Sequence, residues 1–295
     1  MPANRSRTEH WRDNLQKVVE RGGSLELAIA SPASDGTAPS DSAGTDVVWR
    51  VKLLAMRHDA LVVEQPAAFG STFKLLPNIA LIGAMTIGQN RWMFHTRTLG
   101  GTSAPTGGQA TLLLAPPDRV ERCTRRSFYR ISTASVRLPR VQCWPLLNPA
   151  SVGPAEAANR TLLRDLINAN SGPIVDRAED LRPDSLLLPE VGPMFQAQLL
   201  NISGGGMGLV VDRSDMQVAT SKPFWWMRVD LRPDIPAPIA VSARLAHTHI
   251  DSTQALYCGV AFEFGHDASQ RDFVVSLFAR FTDELQRRQI RQAVA

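Results

Sequence analysis

Apolar residues recur at two different periods along this chain. At its start Trp11, Leu15, Val18 and Val19 fall on one side of a helical projection and Gly22-Gly23 supplies a stop, which predicts a short amphipathic helix. From Trp49 onward the period is two. Trp49, Val51 and Leu53 alternate with Arg50 and Lys52, Leu61 to Val63 forms a second run, and Ile87 and Trp92 to Phe94 flank a Gln89-Asn90 turn. With a closing strand over Thr111 to Ala115, these segments predict a small antiparallel barrel within residues 1–117. Pro116-Pro117 and the charged residues after it read as a linker. Ser31 to Gly44, rich in Ser, Pro, Asp and Gly, offers too little apolar surface to offset the entropy of ordering and reads as a loop.

The same alternation returns over residues 118–295. Strands are predicted over Phe128 to Val136, Phe195 to Leu200, Gly208 to Val211, Phe224 to Leu231, Ile239 to His247 and Leu256 to Phe264. A closing helix from about Ser269 to Gln292 carries the core stripe Phe273, Leu277, Phe281 and Leu285. Between the first two strands lies a stretch of seven prolines, Pro145 to Pro193, with one helical segment at Leu162, Leu163, Leu166 and Ile167. It reads as an insertion. The fold class is therefore mainly β: two small antiparallel β-barrels in tandem, with a short N-terminal helix and a C-terminal helix.

Composition agrees with a folded chain of two domains. Of 295 residues 44% are hydrophobic and 20% charged, and the net charge is +4. That modest excess suits a small anion better than a nucleic-acid duplex, which draws on a concentrated basic stripe. Cys123, Cys143 and Cys258 are odd in number and match no metal spacing, which points to a reducing compartment. The first residues lack an apolar leader core, and the most apolar stretch, Leu75 to Gly88, is broken by Pro77, Asn78 and Gly83. A cytoplasmic protein with no membrane span is expected.

Two segments carry candidate chemistry. Arg125-Arg126-Ser127-Phe128-Tyr129-Arg130, at the junction of linker and second barrel, offers three guanidiniums that can grip phosphate oxygens, pair with a guanine edge or stack on a purine face. Its bland counterpart is a solvated charged face. Asn201-Ile202-Ser203-Gly204-Gly205-Gly206-Met207-Gly208 combines glycines that permit φ > 0, and so a nest of backbone N–H groups, with short polar side chains. Its bland counterpart is a hairpin turn.

Together, RRSFYR and NISGGGMG resemble the Arg-x-x-x-Arg and Asp/Asn-x-Ser-x-x-Gly signatures of PilZ domains, with LYCGVAFEF similar to the family's Gly-x-x-Phe strand at Gly259 and Phe262. The first domain is similar to the N-terminal domain of the flagellar-brake (YcgR-like) type. The resemblance implies a second-messenger receptor for cyclic di-GMP. In it Arg126 and Arg130 would reach phosphate and guanine, Asn201 a guanine edge, and Ser203 a phosphate or the base. Gly204, Gly205 and Gly206 would form the turn, with Gly206 keeping it open. Arg125 implies an intercalated pair, two ligands per chain. The output would be a change of domain arrangement, signalled to a protein partner such as a flagellar motor component. Asn201 lies 71 positions beyond Arg130, longer than the family pattern, although loop-closure entropy grows by only about 0.6 kcal/mol per doubling.

Rival readings are weaker in the residues. No His or acid accompanies Ser203 and no Gly-x-Ser-x-Gly elbow is present, so no catalytic residue is expected. His247 and His249 with Cys258 form the strongest metal pattern, and a packed strand explains it better. A PilZ-like interaction protein without ligand is the alternative; of Trp225-Trp226, on opposite strand faces, one would be core and the other either a docking ring or covered, like the first, by the barrel and its closing helix. Arg287, Arg288 and Arg291 complement the helix dipole.

Overall fold

A computed structural model of the chain describes residues 11–30, 46–87, 90–102, 110–123, 138–169, 187–250, 254–264 and 268–294. The loop expected over Ser31 to Gly44, Gln89 of the expected turn and the strand expected over Phe128 to Val136 lie outside them. Helix α1 (Trp11–Glu20) buries Leu15 and Val18 and ends where Gly22, at φ 60°, turns the chain; Gly23 N then donates to Val18 O at 2.7 Å. Strands β1 (Ser24–Ile29), β2 (Val48–Met56), β3 (Leu61–Glu64), β6 (Ala80–Ile87), β7 (Asn90–Thr102) and β8 (Thr111–Leu114) follow, with the short pair β4 (Ala67–Ala68) and β5 (Ser71–Thr72) beside them. The pairings β1–β6, β6–β7, β7–β8, β8–β3, β3–β2 and β2–β1 close a six-strand ring. Trp49, Val51 and Leu53 fill it while Arg50 and Lys52 face water, as the alternation requires. Strand β9 (Val120–Cys123), beyond the two prolines, adds to the open end of β7.

A second six-strand ring is made by β10 (Arg140–Pro145), β11 (Phe195–Ser203), β12 (Gly206–Val211), β13 (Phe224–Val229), β14 (Ile239–Ile250) and β15 (Leu256–Glu263). The partner of β11, strand β10, lies just ahead of the expected insertion and was not among the strands expected from the sequence. From β10 the chain leaves through a narrow neck: Leu146 bridges Val191, and Leu147 N donates to Glu190 O at 2.9 Å. Between these points lies α2 (Val152–Ala169), which carries the expected apolar face with Leu163 fully buried. A short helix α3 (Met216–Ala219) links β12 to β13.

The two adjacent tryptophans of β13 divide as strand geometry demands, but neither is a docking ring. Trp225 lies in the barrel core, its ring 5.0 Å from Phe195 and its Nε1 donating to Ala219 O at 3.0 Å. Trp226 points outward and is equally buried, because α2 roofs it: Trp144, Leu146, Val152, Ala155 and Ala240 join it in a second apolar cluster.

Helix α4 (Ala268–Val294) closes the fold. Leu277, Phe281 and Leu285 are buried as expected, and Val274 and Phe278 join them, whereas Phe273 is half-buried. The helix belongs to both barrels. Gln286 Oε1 accepts from Leu76 N at 2.8 Å, Gln289 Oε1 accepts from Ala80 N at 2.9 Å, and Arg288 pairs with Asp234 at 2.9 Å. The basic end of the helix is thus used in specific pairs, including Arg291 with Glu284 at 2.5 Å. Among the described residues no helix is long and apolar enough to cross a membrane.

Candidate functional site

The glycine-rich segment occupies the end of β11, the hairpin and the start of β12. Phe195, Ala197 and Leu199 point into the barrel, so regular alternation would bury Asn201 and Ser203 as well. It does not, because the register slips between Leu199 and Asn201: one extra residue, Leu200, makes a β-bulge. The bulge inverts the faces. Ile202 becomes the buried residue, and Asn201 and Ser203 turn outward, half-exposed.

Gly204, Gly205, Gly206 and Gly208 all keep out of the left-handed region that four glycines would allow. The demand for glycine is lateral instead. A Cβ on Gly206 would stand 1.9 Å from Val260 O of the neighbouring strand, and one on Gly208 would stand 2.8 Å from Asn201 Oδ1. Gly205 is exposed with nothing near it, and its carbonyl accepts from Phe262 N at 3.1 Å. Ser203 Oγ donates to Gly206 O at 3.3 Å, which fixes the turn.

This edge faces the first barrel. Ile202 pairs in parallel with Trp49, and Gly70 N donates to Gly204 O at 2.6 Å. Asn201 Nδ2 donates to Glu26 Oε1 at 2.9 Å, and the other oxygen of Glu26 is held by Arg91. Arg125, Arg126 and Arg130 lie outside the described residues. Cys123, two positions before Arg125, is the register partner of Arg91. Sequence reasoning missed Glu26 and Arg91. The alternation of Ser24 to Ile29 was the available signal for the strand that carries Glu26.

The other candidates separate. His249 stacks on Tyr257 at 4.7 Å, while Cys258 points into the core and is 2% exposed. Burial pushes the Cys258 thiol up to about 12 and raises the Cys143 thiol as well. No group of three metal-binding side chains occurs among the described residues.

A cavity of about 650 Å³ opens elsewhere, on the outer wall of the second barrel. Arg140 and Gln142 of β10, Gln196 and Gln198 of β11 and Arg228 of β13 line it, with Leu162 of α2 at its side. Asn201 and Ser203 take no part in it.

Residues 182–280 match the model of the PilZ domain. The second barrel thus carries a PilZ domain, and the match includes Asn201, Ser203 and Gly206 but begins beyond the arginine segment. No curated protein matches the chain. Among solved structures it is similar to the following three along most of its length. The Bacillus subtilis inhibitor of motility MotI/DgrA shows 13% identity and TM-score 0.29, covering 89% of this chain and 97% of that one. K. pneumonia MrkH in its apo state shows 8% identity and TM-score 0.30, covering 95% and 94%. Escherichia coli YcgR, solved in complex with c-di-GMP, shows 14% identity and TM-score 0.29, covering 96% and 93%.

Proposed function

We propose that the chain is a cytoplasmic receptor for cyclic di-GMP that acts by rearranging its two barrels, without catalysis. One observation carries this reading: within the matched PilZ domain, the bulge at Leu200 turns Asn201 and Ser203 of the signature outward on the edge that meets the first barrel. Arg126 and Arg130, with Arg125 beside them, supply the cationic half of the site, two ligand molecules bind per chain, and Gly204 to Gly206 form the turn beneath them.

The contact between Asn201 and Glu26 gives the rearrangement a physical basis. A guanine edge needs the Asn201 amide that Glu26 now holds, and a dianionic ligand beside Glu26 meets like charge. Binding therefore favours an arrangement in which Glu26 has withdrawn. A ligand shifts an equilibrium only by its differential affinity for the two states, and this competition supplies the difference. The altered face then signals to a protein partner, for which a flagellar motor component and control of motility are the proposed output.

The same contact favours a second reading. An Asn201 permanently engaged by Glu26 would suit a PilZ-like interaction protein that binds no ligand. Calorimetric titration of cyclic di-GMP, with GTP as control, separates the two. The receptor reading expects saturation near two per chain, with losses of about 1.5–3 kcal/mol, tenfold or more, in Arg126→Ala and Arg130→Ala. It also expects tighter binding by Glu26→Ala. Failure of both the wild type and Glu26→Ala to bind would leave the interaction reading.

A further inference from the structure

The described residues of the excursion between β10 and β11 lie apart from the edge that bears Asn201, yet they are firmly attached. Asn159 of α2 donates from Nδ2 to Pro238 O at 3.0 Å and accepts at Oδ1 from Ala240 N at 3.0 Å, so one side chain clamps the start of β14. Arg160 reaches Ser269 Oγ at 2.8 Å on α4. Helix α2 is thus a fixed roof over the outer face of β10 and β13.

What lies under that roof changes character along the strands. At one end Trp144 and Trp226, register partners, pack on Val152 and Ala155. One residue pair further on, the sheet places Gln196, Gln142 and Arg228 side by side across β11, β10 and β13, with Gln198 opposite Arg140 in the next row. A roof that served packing alone would continue over apolar residues. Here it opens into the cavity of about 650 Å³, a size typical of small-molecule sites.

The lining is specific in its chemistry. Arg228 is 3% exposed, and its guanidinium lies 5.2 Å from the Trp144 ring centroid, which fixes a charge away from water. Arg232 is taken up by Asp230 at 2.6 Å, which leaves Arg140 and Arg228 against Asp212, so the formal charge of the lining is still positive. The glutamines each offer a donor and an acceptor, and Leu162, Pro236 and Pro238 give an apolar side against which a ring can lie flat. An anion carrying a flat, hydrogen-bonding ring satisfies all three features.

We propose that the outer wall of the second barrel and the roof helix form a second ligand site, separate from the Asn201 edge, that takes a small phosphorylated metabolite of nucleoside size. Arginines hold the phosphate and the glutamines read the ring edge or sugar.

The test uses the full chain with inorganic phosphate, adenosine, AMP and GMP as probes at up to millimolar concentration, read by calorimetry and by the shift in thermal midpoint. A nucleoside monophosphate should bind saturably and more tightly than phosphate or adenosine. Arg140→Gln alters an exposed side chain at the mouth and should weaken that binding about tenfold, the effect of one charge-assisted hydrogen bond. Leu162→Trp should occlude the cavity and abolish binding, while Asn201→Ala should leave it intact. Absence of binding by every probe to folded wild type overturns the proposal. So does binding that survives Arg140→Gln and Leu162→Trp but is lost in Asn201→Ala, which would assign it to the other edge. Cyclic di-GMP titrated into the same variants reads the dinucleotide site independently.

Discussion

Around Phe69 the first barrel presses rings into the second, whereas Asn201 and Gly204 meet the first barrel through hydrogen bonds. Phe69 lies 4.4 Å from Phe262 and 5.4 Å from Phe278, and Phe73 lies 5.2 Å from Phe278, ring centroid to ring centroid. Phe69 takes φ 52° and Gly70 φ 75°, so the turn between β4 and β5 is bent into a form that aims the ring across the junction. The polar contact is a few ångströms of backbone away: Gly70 N meets Gly204 O, and Glu26 meets Asn201. Buried apolar area gives its stabilisation without regard to orientation, while a hydrogen bond between half-exposed groups contributes little net because water replaces it well. The aromatic contact therefore contributes more to holding the barrels together, and the proposed rearrangement turns on the polar clasp.

The largest effect should come from breaking the aromatic joint. Phe278 of α4 is 1% exposed and meets the rings of Phe69 and Phe73 from the first barrel, so Phe278→Ala should cost about 3–5 kcal/mol. Denaturant unfolding should show that loss and also separate into two transitions, one for each barrel. A single unshifted transition would mean that the joint contributes nothing.

The aromatic joint and the polar clasp differ equally in how far they could be read from the sequence. Strand alternation in Trp49 to Leu53 and the helical stripe of α4 were legible, because a six-strand barrel buries one face of each strand and the pattern is local. Asn201 and Ser203 were singled out by their resemblance to the signature. Their outward direction was not, since it depends on a bulge at Leu200 that no alternation announces. Glu26 was invisible because its contact with Asn201 spans 175 positions and exists only once the barrels dock. Trp226 shows the same limit. That the two adjacent tryptophans face opposite sides was legible, but not which of them points outward, nor that α2, from a distant part of the chain, covers it.

Alkaline pH offers the next contrast, since both buried thiols sit inside the second barrel. The Cys258 thiol is raised from 9.0 to about 12 by burial, and that of Cys143 is raised by burial and then by its neighbour Cys258. Between pH 9 and about 12 the unfolded chain releases protons that the native chain keeps, so stability should fall as pH rises through that window. A Cys143→Ala, Cys258→Ala double variant should show a shallower fall in its denaturant midpoint. Equal slopes would remove the thiols as the cause.

A smaller effect is expected at Arg271, which donates to Phe69 O and Gly70 O at 3.0 Å each and so pins the bent turn from an exposed position on α4. Arg271→Ala should cost about 1 kcal/mol, with the two unfolding transitions still fused.

Glu26→Ala is the sharpest test of the comparison because it should scarcely change stability while changing arrangement. Glu26 and its partners Arg91 and Asn201 are part-buried but not sealed from water, so the net loss should stay near ~1 kcal/mol, well below that at Phe278. If the clasp sets orientation, small-angle scattering of the ligand-free variant should differ from that of the wild type, although the unfolding midpoint barely moves. Raising salt should move the wild type in the same direction, since screening weakens the charged pair and leaves the rings untouched. An unchanged scattering profile in both experiments would place orientation as well as cohesion in the aromatic joint. The engagement of Asn201 by Glu26 would then be a consequence of docking and not its control.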